Sequence, residues 1–234
     1  MKKHIPNILT SGNLLFGCLS IIAALDGRLT DASIFIGLAA VLDFFDGFVA
    51  RALNAHSEIG KQLDSLADVV SFGVAPGMIF YMMVGQCFNP TGFCINMYLP
   101  FLIPIFSAIR LAKFNIDSRQ SDSFIGLPTP ANAMLIASFP LIIYYKESEE
   151  IIELLQNQYF LKIFPIVSAY LLVAELPLLA LKFKNFSWAE NKLKYILLIL
   201  CLASIILFHF EGVAFSIIIY IVISIINNLQ KNRA

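Results

Sequence analysis

Along the chain, long apolar stretches alternate with short polar breaks. Eight such stretches lie at roughly 13–25, 32–50, 69–85, 97–112, 131–145, 159–181, 193–210 and 212–228, most of them near the length of about 20 residues that a helix needs to cross a bilayer. Hydrocarbon offers no partner to a bare peptide group, so each stretch predicts a helix. The first follows Lys2 and Lys3 in the manner of a signal peptide. Ala23-Ala24 is a poor cleavage site, however, and seven more stretches follow, so it reads as a retained membrane helix. No internal repeat or low-complexity tract divides the sequence. The expected fold class is an all-α integral-membrane bundle of about eight transmembrane helices, with residues 1–234 forming one domain.

Composition and charge narrow the function classes. Hydrophobic residues make up 59% of the 234 residues and charged residues 14%, against about 25% charged in a water-soluble domain. That excludes a soluble globular protein and a disordered one. Lys+Arg 16 balance Asp+Glu 16, so no basic field attracts nucleic acid. The four Cys form no CxxC or Cys/His cluster, which argues against structural zinc. Cys87 and Cys94 flank the outer loop QCFNPTGFC and are a candidate pair in an oxidising compartment. If the N-terminus is cytoplasmic, thirteen of the 16 Lys+Arg fall on the inner side, leaving Arg28, Lys146 and Lys162 outside. Loops so biased face the cytoplasm, and an even number of crossings puts both termini there. A multi-pass protein of the cytoplasmic (inner) membrane is expected.

Polar positions that break the apolar pattern concentrate at the inner edge of the second and third stretches. Ionisable groups at membrane depth are costly and point to function. Segment 43–68 reads DFFDGFVARALNAHSEIGKQLDSLAD. Asp43 and Asp46 are three residues apart and Asp64 and Asp68 four, so each pair shares a helix face. Gly47 and Ala50 continue the first stripe and Gly60 the second, with a polar turn around 52–58 between them. Four carboxylates brought together draw in cations or protons. Oxygen ligands without His or Cys select Mg²⁺ or Mn²⁺ over zinc. Four Asp suffice for two ions, which can clamp the attacking and leaving oxygens around phosphorus. Small residues on the same stripes let a nucleotide or diphosphate approach the backbone, and the Arg51 guanidinium suits phosphate or carboxylate. Helix capping and interface charge would account for one such Asp, but not for four with Gly and Ala on the shared stripes.

The pattern Asp43-x2-Asp46-Gly47-x2-Ala50-Arg51-x8-Gly60-x3-Asp64-x3-Asp68 resembles the signature of the CDP-alcohol phosphotransferases at every fixed position. The resemblance implies that Asp43, Asp46, Asp64 and Asp68 hold two Mg²⁺ or Mn²⁺ ions, with Asp68 also the general base. It implies a CDP pocket lined by Gly47, Ala50, Arg51 and Gly60. The opening IPNILTSGNLLFG, the stretch RLAKFN (Arg110 to Asn115) and GLPTP (Gly126 to Pro130) are similar to the membrane-embedded bacterial branch. That branch transfers a phosphatidyl group from CDP-diacylglycerol to L-serine, giving phosphatidylserine and CMP. The similarity makes residues 1–145 the core and leaves 146–234 as additional transmembrane helices. Lys113 departs from the Arg expected in many relatives, keeping the charge and losing the planar fork. A homodimer among membrane lipids is a further implication.

A serine carboxylate needs a cation. Arg110 and Lys113 end the fourth stretch on the inner side and share a face if the helix continues. Arg110 fits better because its fork is bidentate, though both also satisfy the positive-inside bias, and the sequence leaves the two readings open. Asn115 and Pro128 join them as candidates for the serine or lipid-phosphate region. Gly126, Pro128 and Pro130 build a rigid turn that either closes over the substrate or re-enters the membrane. Asn7, Thr10 and Asn13 are candidate contacts to the nucleotide or metal region, with helix capping by Thr10 or Ser11 as the alternative. Glu175, two residues before Pro177, reads as an acid at a helix contact, and His56 as a solvated loop residue. Three competing functions remain. A sibling enzyme using glycerol 3-phosphate or inositol phosphate would call for more cations than the Arg110, Lys113 and Arg119 of segment 110–130. A cation-coupled membrane transporter favours acids near the midplane and symmetric halves, and a divalent-cation channel needs a ring of carboxylates.

Overall fold

The computed structural model describes residues 4–55, 57–88, 95–116, 124–146, 148–179 and 187–231. Helix α1 (His4–Leu25) is followed by α2 (Leu29–Ala52) and α3 (Glu58–Asp68). A π-helical turn (Val69–Val74) carries α3 into α4 (Ala75–Phe88), and a 3-10 segment (Ile95–Phe101) leads into α5 (Leu102–Ile116). Then come α6 (Thr129–Tyr145), the short α7 (Glu149–Gln156), α8 (Gln158–Val173) and α9 (Trp188–Lys231). Strands β1 (Phe124–Ile125) and β2 (Pro177–Leu178) pair antiparallel, Phe124 opposite Leu178. Among the described residues, five apolar helical segments are long enough to cross a membrane: His4–Leu25, Leu29–Ala52, Glu58–Cys87, Ile95–Ile116 and Asn191–Leu229, the last of them broken at His209. Thr129–Tyr145 and Gln158–Val173 are shorter apolar helices. The protein is an all-α, multi-pass membrane protein.

The most extensive packing joins α1 to α2. Lipid gives two apolar helices no hydrophobic reason to associate, so close approach of small residues does that work. Ala23, Ala24, Ala32 and Ala39 are fully buried there, and Ser20 donates to the Ala32 carbonyl at 2.8 Å. The turn between the helices is tight. Gly27 takes φ +77, its N–H reaches the Ala24 carbonyl, and the Arg28 N–H reaches that of Ala23, both at 2.9 Å. This double closure of a helix end through a left-handed residue is why glycine stands at 27.

Several boundaries differ from those expected of the sequence. Helix α1 begins at His4 rather than near 13, because the residues ahead of the apolar stretch turn inward: Pro6 and the polar Thr10 and Asn13 are buried. Thr10 and Ser11 are not caps; their hydroxyls lie inside α1, where Ser11 Oγ donates to the Asn7 carbonyl one turn back and Thr10 Oγ1 lies 3.1 Å from that of Pro6. The sixth stretch stops at Val173, not 181, since Pro177 enters β2 and Glu175 is exposed in the link between. The seventh and eighth stretches lie within α9, which breaks at His209 (φ 45, ψ −114). There the chain doubles back, for Ser216 Oγ donates to the Cys201 carbonyl at 3.1 Å, whereas fifteen residues of straight helix would span about 22 Å. Cys94, His56 and Arg119 lie outside the described residues, and with them the proposed Cys87–Cys94 pairing.

Candidate active site

Two helix ends converge to build the site. The last turns of α2 carry Asp43 and Asp46, and α3 carries Asp64 and Asp68. The turn between them is closed by Ser57, whose Oγ accepts from the Gly60 N–H at 3.0 Å as the N-cap of α3. The helix widens into its π turn immediately after Asp68, a distortion common at functional sites. Helix α1 presses against that turn. Ser71 Oγ donates to the Asn13 carbonyl at 3.0 Å, and a β-carbon on Gly17 would lie 2.9 Å from the Ser71 backbone.

Asp43, Asp64 and Asp68 each bring a carboxylate oxygen within 4.8 Å of the others. Asp43 and Asp68 lie within electrostatic reach of each other, and Asp46 of Asp43 and Asp64. Two neighbours on α1 orient this group. Thr10 Oγ1 donates to Asp46 Oδ2 at 2.7 Å, and Asn13 Nδ2 donates to Asp68 Oδ1 at 3.3 Å. Asp46, Asp68, Thr10 and Asn13 are all buried. Clustered carboxylates at the edge of an apolar bundle need compensating positive charge, and a set of oxygen donors without nitrogen or sulfur fits a hard divalent cation.

Beside the carboxylates lies a cavity of about 490 Å³. Asn7, Thr10, Asp46, Gly47, Ala50, Arg51, Gly60 and Asp64 line it, along with Ser57 and Lys61. The small residues keep it open. A β-carbon at 47 would sit 3.4 Å from Arg51 Nη1, and one at 60 would meet Ser57 Oγ at 2.9 Å and Asn7 Oδ1 at 3.1 Å. Asn7 and Thr10 thus share one chamber with the Asp46–Gly60 residues, while Asn13 reaches Asp68 from behind.

The remaining candidates divide. Arg110 is 7% exposed and within electrostatic reach of Asp68. Lys113, one turn on, is exposed. Asn115 ties α5 to α3: its side chain donates to Ser65 Oγ at 2.8 Å and its carbonyl accepts from Lys61 Nζ at 3.1 Å. Pro128 precedes α6 and its carbonyl accepts from the Asn132 N–H. The turn around it is fastened to the far end of α8, with Gly126 N–H bonded to the Leu176 carbonyl and Leu127 N–H to that of Leu171. Ser57, Lys61 and Ser65 escaped sequence reasoning. Of these only Ser57 carried a signal, a serine just ahead of a helical pattern.

A sequence model described as CDP-alcohol phosphatidyltransferase matches residues 3–180. The chain belongs to this family. A CDP-diacylglycerol–serine O-phosphatidyltransferase of Helicobacter pylori is 35% identical over 203 residues, covering 86% of this chain and 80% of that one. The enzyme of the same name from Bacillus subtilis is 40% identical over 135 residues, 57% of this chain and 73% of its own. An archaetidylserine synthase of Methanothermobacter thermautotrophicus is 38% identical over 146 residues, 61% of this chain and 60% of its own. The family match takes in every residue of the carboxylate cluster and its cavity, so the chain is a phosphatidyltransferase, and the site is where its chemistry is sought.

Proposed function

We propose that the chain transfers the phosphatidyl group of CDP-diacylglycerol to L-serine, releasing CMP, at a two-ion site held by Asp43, Asp46, Asp64 and Asp68. The main support is the convergence of three of these carboxylates within 4.8 Å beside a cavity lined by the fourth with Gly47, Ala50, Arg51 and Gly60. The names of the H. pylori and B. subtilis relatives favour serine as the acceptor. Divalent Mg²⁺ or Mn²⁺ at the carboxylates would neutralise the diphosphate and the departing CMP. The side chains do the rest. Gly47, Ala50 and Gly60 leave room for the nucleotide, and Arg51 meets its phosphates. Asp68, oriented by Asn13, takes the proton of the serine hydroxyl. The hydroxyl oxygen bonds to the phosphorus bearing diacylglycerol, and the bond from that phosphorus to the bridging oxygen breaks, its electron pair leaving with CMP. Arg110 pairs with the serine carboxylate, while exposed Lys113 is placed for a lipid phosphate.

In the same reading, eight crossings place both termini and the site on the cytoplasmic face of the inner membrane, residues 1–234 form one domain, and two copies associate. Purified protein in vesicles containing CDP-diacylglycerol, with Mg²⁺ or Mn²⁺, is offered L-serine, glycerol 3-phosphate and inositol phosphate in turn. Metal-dependent CMP release with serine is expected. Release only with a phosphorylated acceptor moves the chain to a sibling activity. No release with any acceptor, accompanied by ion-driven uptake into the vesicles, would replace the enzyme with a transporter.

A further inference from the structure

Among the described residues, the buried polar atoms without a hydrogen bond include one acceptor, Asn13 Oδ1, and, on the two helices that pack against the π turn after Asp68, four donors. The donors are Ser107 Oγ and Arg110 Nε on α5, and Thr129 Oγ1 and Asn132 Nδ2 on α6. Ser107, Thr129 and Asn132 are fully buried and Arg110 nearly so. Native proteins rarely leave such groups bare, so each one needs an explanation. Four donors on two helices that flank the same turn call for a common one.

The two pairs each lie three residues apart and so present one helix face apiece. The two helices share packing neighbours. The π turn that follows Asp68 packs against both α5 and α6, and a β-carbon on its Gly73 would lie 3.1 Å from Ser107 Cβ. Helix α8 packs along α5 and reaches α6 through Ser168, whose hydroxyl donates to Asn132 Oδ1 at 2.8 Å. That bond occupies the amide oxygen, which leaves the amide nitrogen as the free end. Arg110 is within electrostatic reach of Asp68.

We propose that Ser107, Arg110, Thr129 and Asn132 form the pocket for the carboxylate of the acceptor amino acid, which directs the acceptor hydroxyl to Asp68. The inference rests on the serine reading above and deepens it. All four groups can donate a hydrogen bond and one carries a full positive charge, so the ligand must bring several acceptor oxygens and about one negative charge. A carboxylate does. A phosphate monoester carries about −1.5 to −2 at neutral pH, more than one guanidinium balances in a buried site. An ammonium or a neutral alcohol offers the donors too little. The pocket therefore selects the amino acid over glycerol 3-phosphate.

Thr129→Val and Ser107→Ala remove hydroxyls with little change of shape. In purified protein the KM for L-serine should rise by about tenfold or more, as for a lost hydrogen bond to a charged group, while the KM for CDP-diacylglycerol stays within about twofold. Thr129→Ser should restore the serine KM. Ethanolamine lacks the carboxylate, so the preference for serine over ethanolamine should shrink by the same factor in Thr129→Val. L-Serine should also raise the thermal unfolding midpoint of the wild type and lose that effect in the variant. If both KM values rise together, or if folded variants keep the wild-type serine KM, the pocket is wrong and buried water satisfies these groups. If Thr129→Val does not fold, the decision passes to Ser107→Ala under the same criteria. A wild type that uses glycerol 3-phosphate and not serine overturns the acceptor reading itself. A wild type that uses serine while the variants keep its KM overturns the pocket alone.

Discussion

Thr10 on α1 donates its hydroxyl hydrogen to Asp46 Oδ2 on α2 at 2.7 Å, joining residues 36 positions apart. The helix that contributes no carboxylate therefore sets the direction of one. Groups that orient a metal ligand typically cost 10–100-fold in metal affinity or activity when removed. Thr10→Val should raise the Mg²⁺ or Mn²⁺ concentration for half-maximal CMP release by about tenfold or more, with Thr10→Ser close to wild type. A metal titration of both variants checks this, and an unchanged midpoint in Thr10→Val would separate Asp46 from the ions.

Asp68 accepts from Asn13 Nδ2 at 3.3 Å and is buried. Asp68→Asn keeps the shape of the side chain and an oxygen for that bond, but it cannot take up the hydroxyl proton. CMP release should fall by at least about 10²-fold, the lower end of what a general base contributes, with helicity and elution volume unchanged. Near-normal turnover in the folded variant would send the proton elsewhere.

Gly60→Ala and Gly47→Ala test the cavity wall in a graded way. The new methyl at 60 meets Ser57 Oγ at 2.9 Å and Asn7 Oδ1 at 3.1 Å, whereas at 47 the nearest atom is the tip of Arg51 at 3.4 Å. The first crowds two short side chains, and the second displaces the end of a long, adaptable one. Gly60→Ala should raise the KM for CDP-diacylglycerol by about tenfold, the scale of a modest overpacking strain, and Gly47→Ala by less. The reverse order would place the nucleotide away from α3.

Hydropathy made the apolar rods legible, and the spacing of four aspartates made the centre of the site legible, because both are local periodicities. What lay beyond them depends on tertiary contact. The start of α1 was missed because Asn7, Thr10 and Asn13 look like a polar lead-in and in fact face inward to the carboxylates and their cavity. The reversal at His209 agrees with the division at 210–212 between the seventh and eighth stretches, but its tightness shows only in the contact of Ser216 with Cys201. Ser107, Thr129 and Asn132 pass in the sequence for ordinary small polar residues of membrane helices, and only their joint burial sets them apart. The GLPTP turn was recognisable as rigid, yet its anchor, the end of α8, lies some 45 residues further along the chain.

That anchor makes Gly126 the position where substitution should do most harm outside the site. Its φ is +77, and a β-carbon there would lie 2.4 Å from the Leu172 carbonyl oxygen and 3.2 Å from that of Ala174. Two costs combine in Gly126→Ala: left-handed backbone strain of about 1–2 kcal/mol and a collision with backbone that cannot step aside, worth about 1–3 kcal/mol more. Gly27 is the natural control, since it has the same φ of +77 but open space around it, so Gly27→Ala should incur the first cost alone. Thermal unfolding in detergent should show a clearly larger loss for Gly126→Ala. The serine KM should rise with it, because the turn leads directly into Thr129. Equal losses at 27 and 126 would mean that the turn is not held against α8, and the placement of α6 beside α5 would have to be redrawn.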